Sequence, residues 1–167
     1  MKLTTKYLGF RARLRKEFLP GFLIVSVIIL FVNFTRGQDD IKITGLMILA
    51  FGAVYGLVSI VSAKTFISGI IFVDDNLIVI GHDYDSPWEK KFNIKNSNIK
   101  IRSKGRGRGK VDYYFTITSG DVKAEINRSF NWDYSTLLTI FNEFKRVKKE
   151  KIIFDEKYFL DIMEKKG

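Results

Sequence analysis

The sequence predicts a membrane protein of the α+β class: a two-helix transmembrane hairpin followed by a small antiparallel β domain closed by a C-terminal helix. Three observations predict it. Two long apolar stretches, residues 18–34 and 43–63, stand close together near the start of the chain. From residue 64 onward apolar residues alternate with polar ones, the period of a half-buried strand. After the last alternating run, apolar residues recur at three- and four-residue spacing, the period of an amphipathic helix.

Residues 43–63 carry no charge, and residues 18–34 are interrupted only by Pro20, Gly21, Ser26 and Asn33. Crossing a hydrocarbon core of ~30 Å takes about 20 apolar residues, with a range of ~17–25. The first stretch meets the lower bound, and Arg15 and Lys16 can snorkel outward to lengthen it. Helices apolar all round suit lipid better than the core of a chain of 167 residues. A signal peptide is disfavoured for the first stretch, because no small-residue cleavage site follows it and a second span comes within ten residues. Neither span holds an ionisable group, which argues against an ion or proton pathway built from this chain alone.

Lysine and arginine placement sets the orientation. Lys2, Lys6, Arg11, Arg13, Arg15 and Lys16 precede the first span, and the chain after the second span is again basic. In the connection between the spans Arg36 and Lys42 are balanced by Asp39 and Asp40. Both termini are therefore expected in the cytoplasm, with residues 35–42 as a short outer loop. The lysine-, asparagine- and isoleucine-rich composition suits an AT-rich bacterial genome, and the expected location is a bacterial cytoplasmic (inner) membrane, as the resemblance given below implies.

The chain divides into a basic segment (1–17), the hairpin (18–63, with spans 18–34 and 43–63), a β domain with its closing helix (64–150) and a helical tail (151–167). In the first segment Tyr7, Phe10, Leu14 and Phe18 form a stripe, and Arg11, Arg13, Arg15 and Lys16 lie mostly off it. That pattern reads either as a helix on the inner leaflet, its cations toward anionic headgroups, or as a basic topogenic flank. Gly52, Gly56, Ser59 and Ala63 share one face of the second span and include a Gly-x-x-x-Gly pair. Small residues let helices approach closely in lipid, so this face packs on the first span, on a second copy or on a partner helix.

In the β domain residues 66–73 and 77–81 form a hairpin about Asp74, Asp75 and Asn76. Residues 88–94, Ile99 with Ile101, residues 111–118 and residues 122–126 supply further strands, about six in all. Asn131 or Asp133 caps a helix with the stripe Tyr134, Leu137, Leu138, Phe141 and Phe144, and Lys145, Arg146, Lys148 and Lys149 crowd its last turns. A short helix follows at 155–165.

This arrangement of antiparallel strands, in particular residues 66–81 and 111–118, closed by a helix over 132–149, resembles a pleckstrin-homology-like domain. The order of basic segment, two spans and such a domain is similar to bacterial membrane-anchored proteins of the YcxB-like group. The resemblance implies seven strands, which places the seventh around residues 82–88. It also implies that a basic loop between strands receives anionic headgroups.

Residues 102–110 are the candidate loop. Arg102, Lys104, Arg106, Arg108 and Lys110 alternate there with Gly105, Gly107 and Gly109, giving a low-profile loop whose cations can converge on phosphates. The alternative is a solvated hairpin tip. The net charge of +10 suits a polyanion, though Arg-Gly stretches in RNA-binding tails are longer, and nucleic acid is disfavoured as a partner. The chain has no cysteine, which removes disulfides, thiolate nucleophiles and cysteine zinc sites. His82, Asp83 and Asp85 read as turn residues, not as metal ligands. No Ser-His-acid set, P-loop or dinucleotide fingerprint appears, so no catalytic residue, metal or cofactor is expected. The function expected from these features is a non-enzymatic, membrane-anchored module that binds a partner protein, anionic lipid or both at the inner leaflet. The alternative is a structural or accessory subunit of a larger membrane complex, assembled through the hairpin as a homo-oligomer or with a foreign helix.

Overall fold

The computed structural model describes residues 1–35, 41–105, 111–128 and 131–166. The chain forms two compact units. One is helical, Leu8–Thr65, and the other combines Met1–Tyr7 with Phe66–Gly167.

The helical unit is an antiparallel pair, α1 (Phe10–Thr35) and α2 (Ile41–Ala63). Both are long and apolar enough to cross a membrane, and only 6% and 11% of their most apolar windows are buried. α1 begins well before the apolar stretch read from sequence and takes in its basic flank. Pro20 lies inside α1, where a missing N–H and a ring clash loosen the preceding turn. The Tyr55 hydroxyl of α2 donates to the Glu17 carbonyl in that turn at 3.1 Å. Gly21 leaves the space that the Tyr55 ring fills, since a Cβ there would collide with it. Pro20 leaves the Lys16 carbonyl without its usual N–H partner, and Tyr55 bonds the adjacent Glu17 carbonyl of the same turn.

The β unit holds seven strands among the described residues: β1 (Lys2–Thr4), β2 (Thr65–Val73), β3 (Asn76–Asp83), β4 (Ser86–Asn93), β5 (Asn98–Gly105), β6 (Val111–Ser119) and β7 (Val122–Ile126). They form a four-stranded sheet, β1-β2-β3-β4, and a three-stranded sheet, β5-β6-β7. Six strands match the alternating runs of the sequence. The seventh does not lie at residues 82–88, which are the end of β3, a turn at Tyr84-Asp85 and the start of β4. It is β1, which precedes the helical pair and runs antiparallel to β2 with Lys2 opposite Ile71 and Thr4 opposite Gly69.

Two helices follow, α3 (Tyr134–Lys148) and α4 (Phe154–Glu164). The core gathers inward residues of both sheets with α3: Ile70, Leu77, Phe92, Phe115, Ile126, Leu137, Phe141 and Phe144 are all fully buried. Such side chains contribute roughly 1.5–3 kcal/mol each on burial. α3 ends as its sequence foretells. Lys149 adopts the left-handed conformation, and Lys149 and Glu150 donate their N–H groups to the carbonyls of Arg146 and Lys145.

At the start of α3, Asp133 rather than Asn131 is the cap. Its carboxylate accepts from the Thr136 N–H at 2.7 Å, the Ser135 hydroxyl at 2.6 Å and the Thr136 hydroxyl at 2.8 Å. The Ser135 bond and then the Thr136 bonds outweigh desolvation and hold this carboxyl down at about 2. A depressed folded-state pKa stabilises above the ordinary carboxyl value and is lost as pH falls through the folded value. Asp133→Ala should therefore cost ~1 kcal/mol at neutral pH. Its stability should converge on wild type as pH drops from about 4 to about 2. Denaturant titration of the full chain in detergent, read by tryptophan fluorescence at a series of pH values, checks this.

Candidate functional site

The strand order allows the two ends of the β unit to be distinguished. β1 leads into α1, and β2 begins one residue after α2 ends. β2 runs from this junction end to the Asp74-Asp75 turn, β3 returns to the Tyr84-Asp85 turn, and β4 runs outward again to Asn93. The Ile94 N–H bonds the Asp75 carbonyl at 2.8 Å, so the start of β5 also belongs to the far end. β5 then runs back, so that Gly105 and Val111, which face each other across the β5–β6 pair, lie at the junction end.

A hydrogen-bond chain ties β6 to β2 at this end. Asn127, in a left-handed backbone conformation, donates from Nδ2 to the Tyr113 carbonyl at 3.1 Å and accepts the Trp132 N–H on Oδ1 at 2.9 Å. Trp132 Nε1 and Asn131 Nδ2 both donate to the Ile67 carbonyl. The Thr5 hydroxyl donates to the Asn131 carbonyl at 3.2 Å. Tyr7 closes the same end by donating to Asp85 at 2.6 Å, with its ring 4.3 Å from that of His82. These bonds tie together, at the junction end, the N-terminal segment, β2, β6 and the turn between β3 and β4.

The basic strand runs to this end. Lys100, Arg102 and Lys104 alternate along β5 and are exposed. Arg106, Arg108 and Lys110 lie outside the described residues. Opposite Lys104 stands Asp112, which accepts the Tyr134 hydroxyl at 2.9 Å. Burial, reinforced by the Asp112 bond and charge, pushes the Tyr134 hydroxyl up to about 12, so it stays a neutral donor throughout the physiological range. Lys166, beyond α4, donates to the Val111 carbonyl at 2.5 Å and lies over the Tyr113 ring. On β7, burial raises the Glu125 carboxyl, but Lys123 and Arg128 outweigh it and hold it below the ordinary range. Lys166 was not legible as part of this end, because only the return of α4 brings it there.

The membrane-flank cations divide. Arg11, Arg15 and Lys16 are exposed, as a headgroup-facing role requires. Arg13 is not: it is 4% exposed, and its guanidinium donates to the carbonyls of Leu8 at 2.6 Å, Ala63 at 3.0 Å and Lys64 at 3.3 Å. Its place in the headgroup-facing set is corrected accordingly. It closes the C-terminal end of α2, where carbonyls lack intrahelical partners and cations suit the helix dipole. The small-residue face of α2 meets α1: Phe22 lies against Gly52 and Phe18 against Gly56, and Ser59 and Ala63 are buried.

Among the described residues no three His, Asp or Glu side chains converge to hold a metal ion. No family model, curated protein or solved structure matches the chain.

The arrangement of Arg13 makes a quantitative prediction. Hydrogen bonds to charged groups contribute ~1.5–3 kcal/mol each when buried, so Arg13→Ala should destabilise the helical pair by roughly 2–4 kcal/mol. Arg11→Ala and Arg15→Ala, at exposed positions, should stay within about 0.5 kcal/mol of wild type. Thermal unfolding of the three full-length variants in detergent separates the two classes.

Proposed function

We propose that this chain is a non-enzymatic, membrane-anchored module whose β unit is pleckstrin-homology-like and works at the inner leaflet of a bacterial cytoplasmic membrane. The helical pair spans the bilayer with both termini inside. The basic β5 end contacts anionic lipid, and another face of the β unit binds a partner protein.

One observation carries the reading: Arg102 and Lys104 lie at the same end of the β unit as both chain crossings into the apolar helical pair. Only Lys64 separates α2 from β2, so a bilayer around the helices lies within reach of that end. Each cation near an anionic surface contributes about 1 kcal/mol, screened by salt. Seven strands divided four and three, followed by a helix packed on them, support the pleckstrin-homology-like reading. The exposed Arg11, Arg15 and Lys16 at one end of the helical pair support the orientation. In the accessory-subunit reading, assembly would have to use helix faces other than the Gly52–Gly56 face, which α1 already fills.

The absence of native cysteine allows a direct test. Ser103→Cys, between the two described cations, accepts an environment-sensitive dye on the full chain reconstituted in vesicles. The emission should shift to the blue in phosphatidylglycerol-containing vesicles relative to pure phosphatidylcholine. The shift should diminish in high salt and in Arg102→Gln/Lys104→Gln. Equal spectra in both vesicles would reject lipid contact, and release of the chain from native membranes by alkaline carbonate would reject the anchor.

A further inference from the structure

The outer face of the β5–β6–β7 sheet carries more than the two cations that the lipid reading uses. Its inner face is core: Phe115, Ile117, Ala124 and Ile126 are buried, and α3 packs there, with the Phe141 ring centroid 5.4 Å from that of Phe115. The intervening residues therefore point outward. The register sets them in rows. Lys100 faces Thr116, which faces Glu125, and Arg102 faces Tyr114 one row nearer the junction end. Same-face neighbours along a strand are about 6.8 Å apart and partners across it about 5 Å. Lys100, Arg102, Thr116 and Tyr114 thus surround a patch the size of a small anionic group.

Charge on this face is sorted. Glu125 is gripped by Lys123 at 2.6 Å and by Arg128 at 2.5 Å, two cations to one carboxylate. Asp112 accepts the Tyr134 hydroxyl and stands opposite Lys104. Lys100 and Arg102 are exposed and form no ion pair among the described residues. Thr116 is only 8% exposed, yet its hydroxyl bonds no group among the described residues. A buried hydroxyl without a partner costs free energy that a bound acceptor recovers.

We infer that the corner formed by Lys100, Arg102 and Thr116 is a binding site for a phosphate monoester. A terminal phosphate carries about −1.5 to −2 charge near neutral pH and three acceptor oxygens. Lys100 and Arg102 match that charge. The guanidinium offers a planar fork to two of the oxygens, and the Thr116 hydroxyl donates to the third. A phosphodiester, with one charge and two free oxygens, leaves part of the corner unmet. The inference deepens the lipid reading, on which it rests for Arg102 as an anion contact. It assigns the chemical class of the ligand and moves the contact from the end of the strand to the face of the sheet. A phosphatidic acid headgroup and a soluble phosphate ester share this chemistry.

The test uses the full chain in nanodiscs, with an environment-sensitive dye on Thr118→Cys, an outward position on β6 beside the corner. Discs holding phosphatidic acid are compared with discs holding phosphatidylglycerol at matched surface charge, and with pure phosphatidylcholine discs titrated with glycerol 3-phosphate. The expected result is a shift severalfold larger with phosphatidic acid than with phosphatidylglycerol. Lys100→Gln and Arg102→Gln should each reduce it severalfold, and Lys2→Gln, on the other sheet, should leave it unchanged. Thr116→Val, nearly isosteric, should erase the preference for phosphatidic acid and keep the response to phosphatidylglycerol, which loss of a merely structural contact would not do. A saturable shift with glycerol 3-phosphate identifies a soluble ester as a source of the ligand; a shift confined to phosphatidic acid identifies the headgroup. Equal shifts with the two lipids and none with glycerol 3-phosphate would overturn the site and leave the lipid reading standing. A shift with glycerol 3-phosphate but with neither lipid keeps the site and rejects lipid contact. No shift under any condition rejects both.

Discussion

The pairing of β1 with β2 is the constraint on which the rest of the molecule depends. These strands are neighbours in one sheet, yet the whole helical pair lies between them in sequence. Antiparallel strands joined through two helices require those helices to return on themselves, so both ends of the pair are tied to the same sheet. The junction end of the β unit is defined by this one pairing.

The helical pair is built to hold that geometry. Lipid gives no hydrophobic force between helices, so close packing and polar contacts must supply the association. Gly52 and Gly56 admit the rings of Phe22 and Phe18, and Phe18 stacks on Phe22 at 5.0 Å. Tyr55 compensates the turn that Pro20 loosens, and Arg13 gathers three carbonyls where α2 ends. These polar contacts sit toward the end of the pair at which α1 begins and α2 finishes, and the outer faces of both helices stay apolar and exposed.

Much of this was legible in the sequence. Residues 111–118 alternate so regularly that Tyr113, Phe115 and Ile117 could be assigned to the core, where the structure buries them. The stripe Leu137, Phe141 and Phe144 and the capping aspartate likewise announced α3. What stayed hidden depends on contacts distant in the chain. β1 is only three residues long, too short for a period of two to register, and its partner lies beyond both apolar helices. Arg13 looks like its neighbours Arg11 and Arg15 in sequence; only the returning end of α2 makes it different. The basic run was visible as alternating Arg and Gly, but the place of Arg102 and Lys104 on β5, paired with β6, required the strand register.

The insertion of the helical pair between β1 and β2 also sets an order of events during synthesis. β1 leaves the ribosome first but has no partner until β2 emerges, after both apolar helices have been made. The seven strands of the described residues are therefore completed only once both helices have been made, and loop closure across them adds only a few kcal/mol of entropy if the helices are already packed. Packing of the helical pair thus becomes a checkpoint for folding: until its two ends come together, β1 stays unpaired and β2 keeps an exposed edge, a feature that favours aggregation.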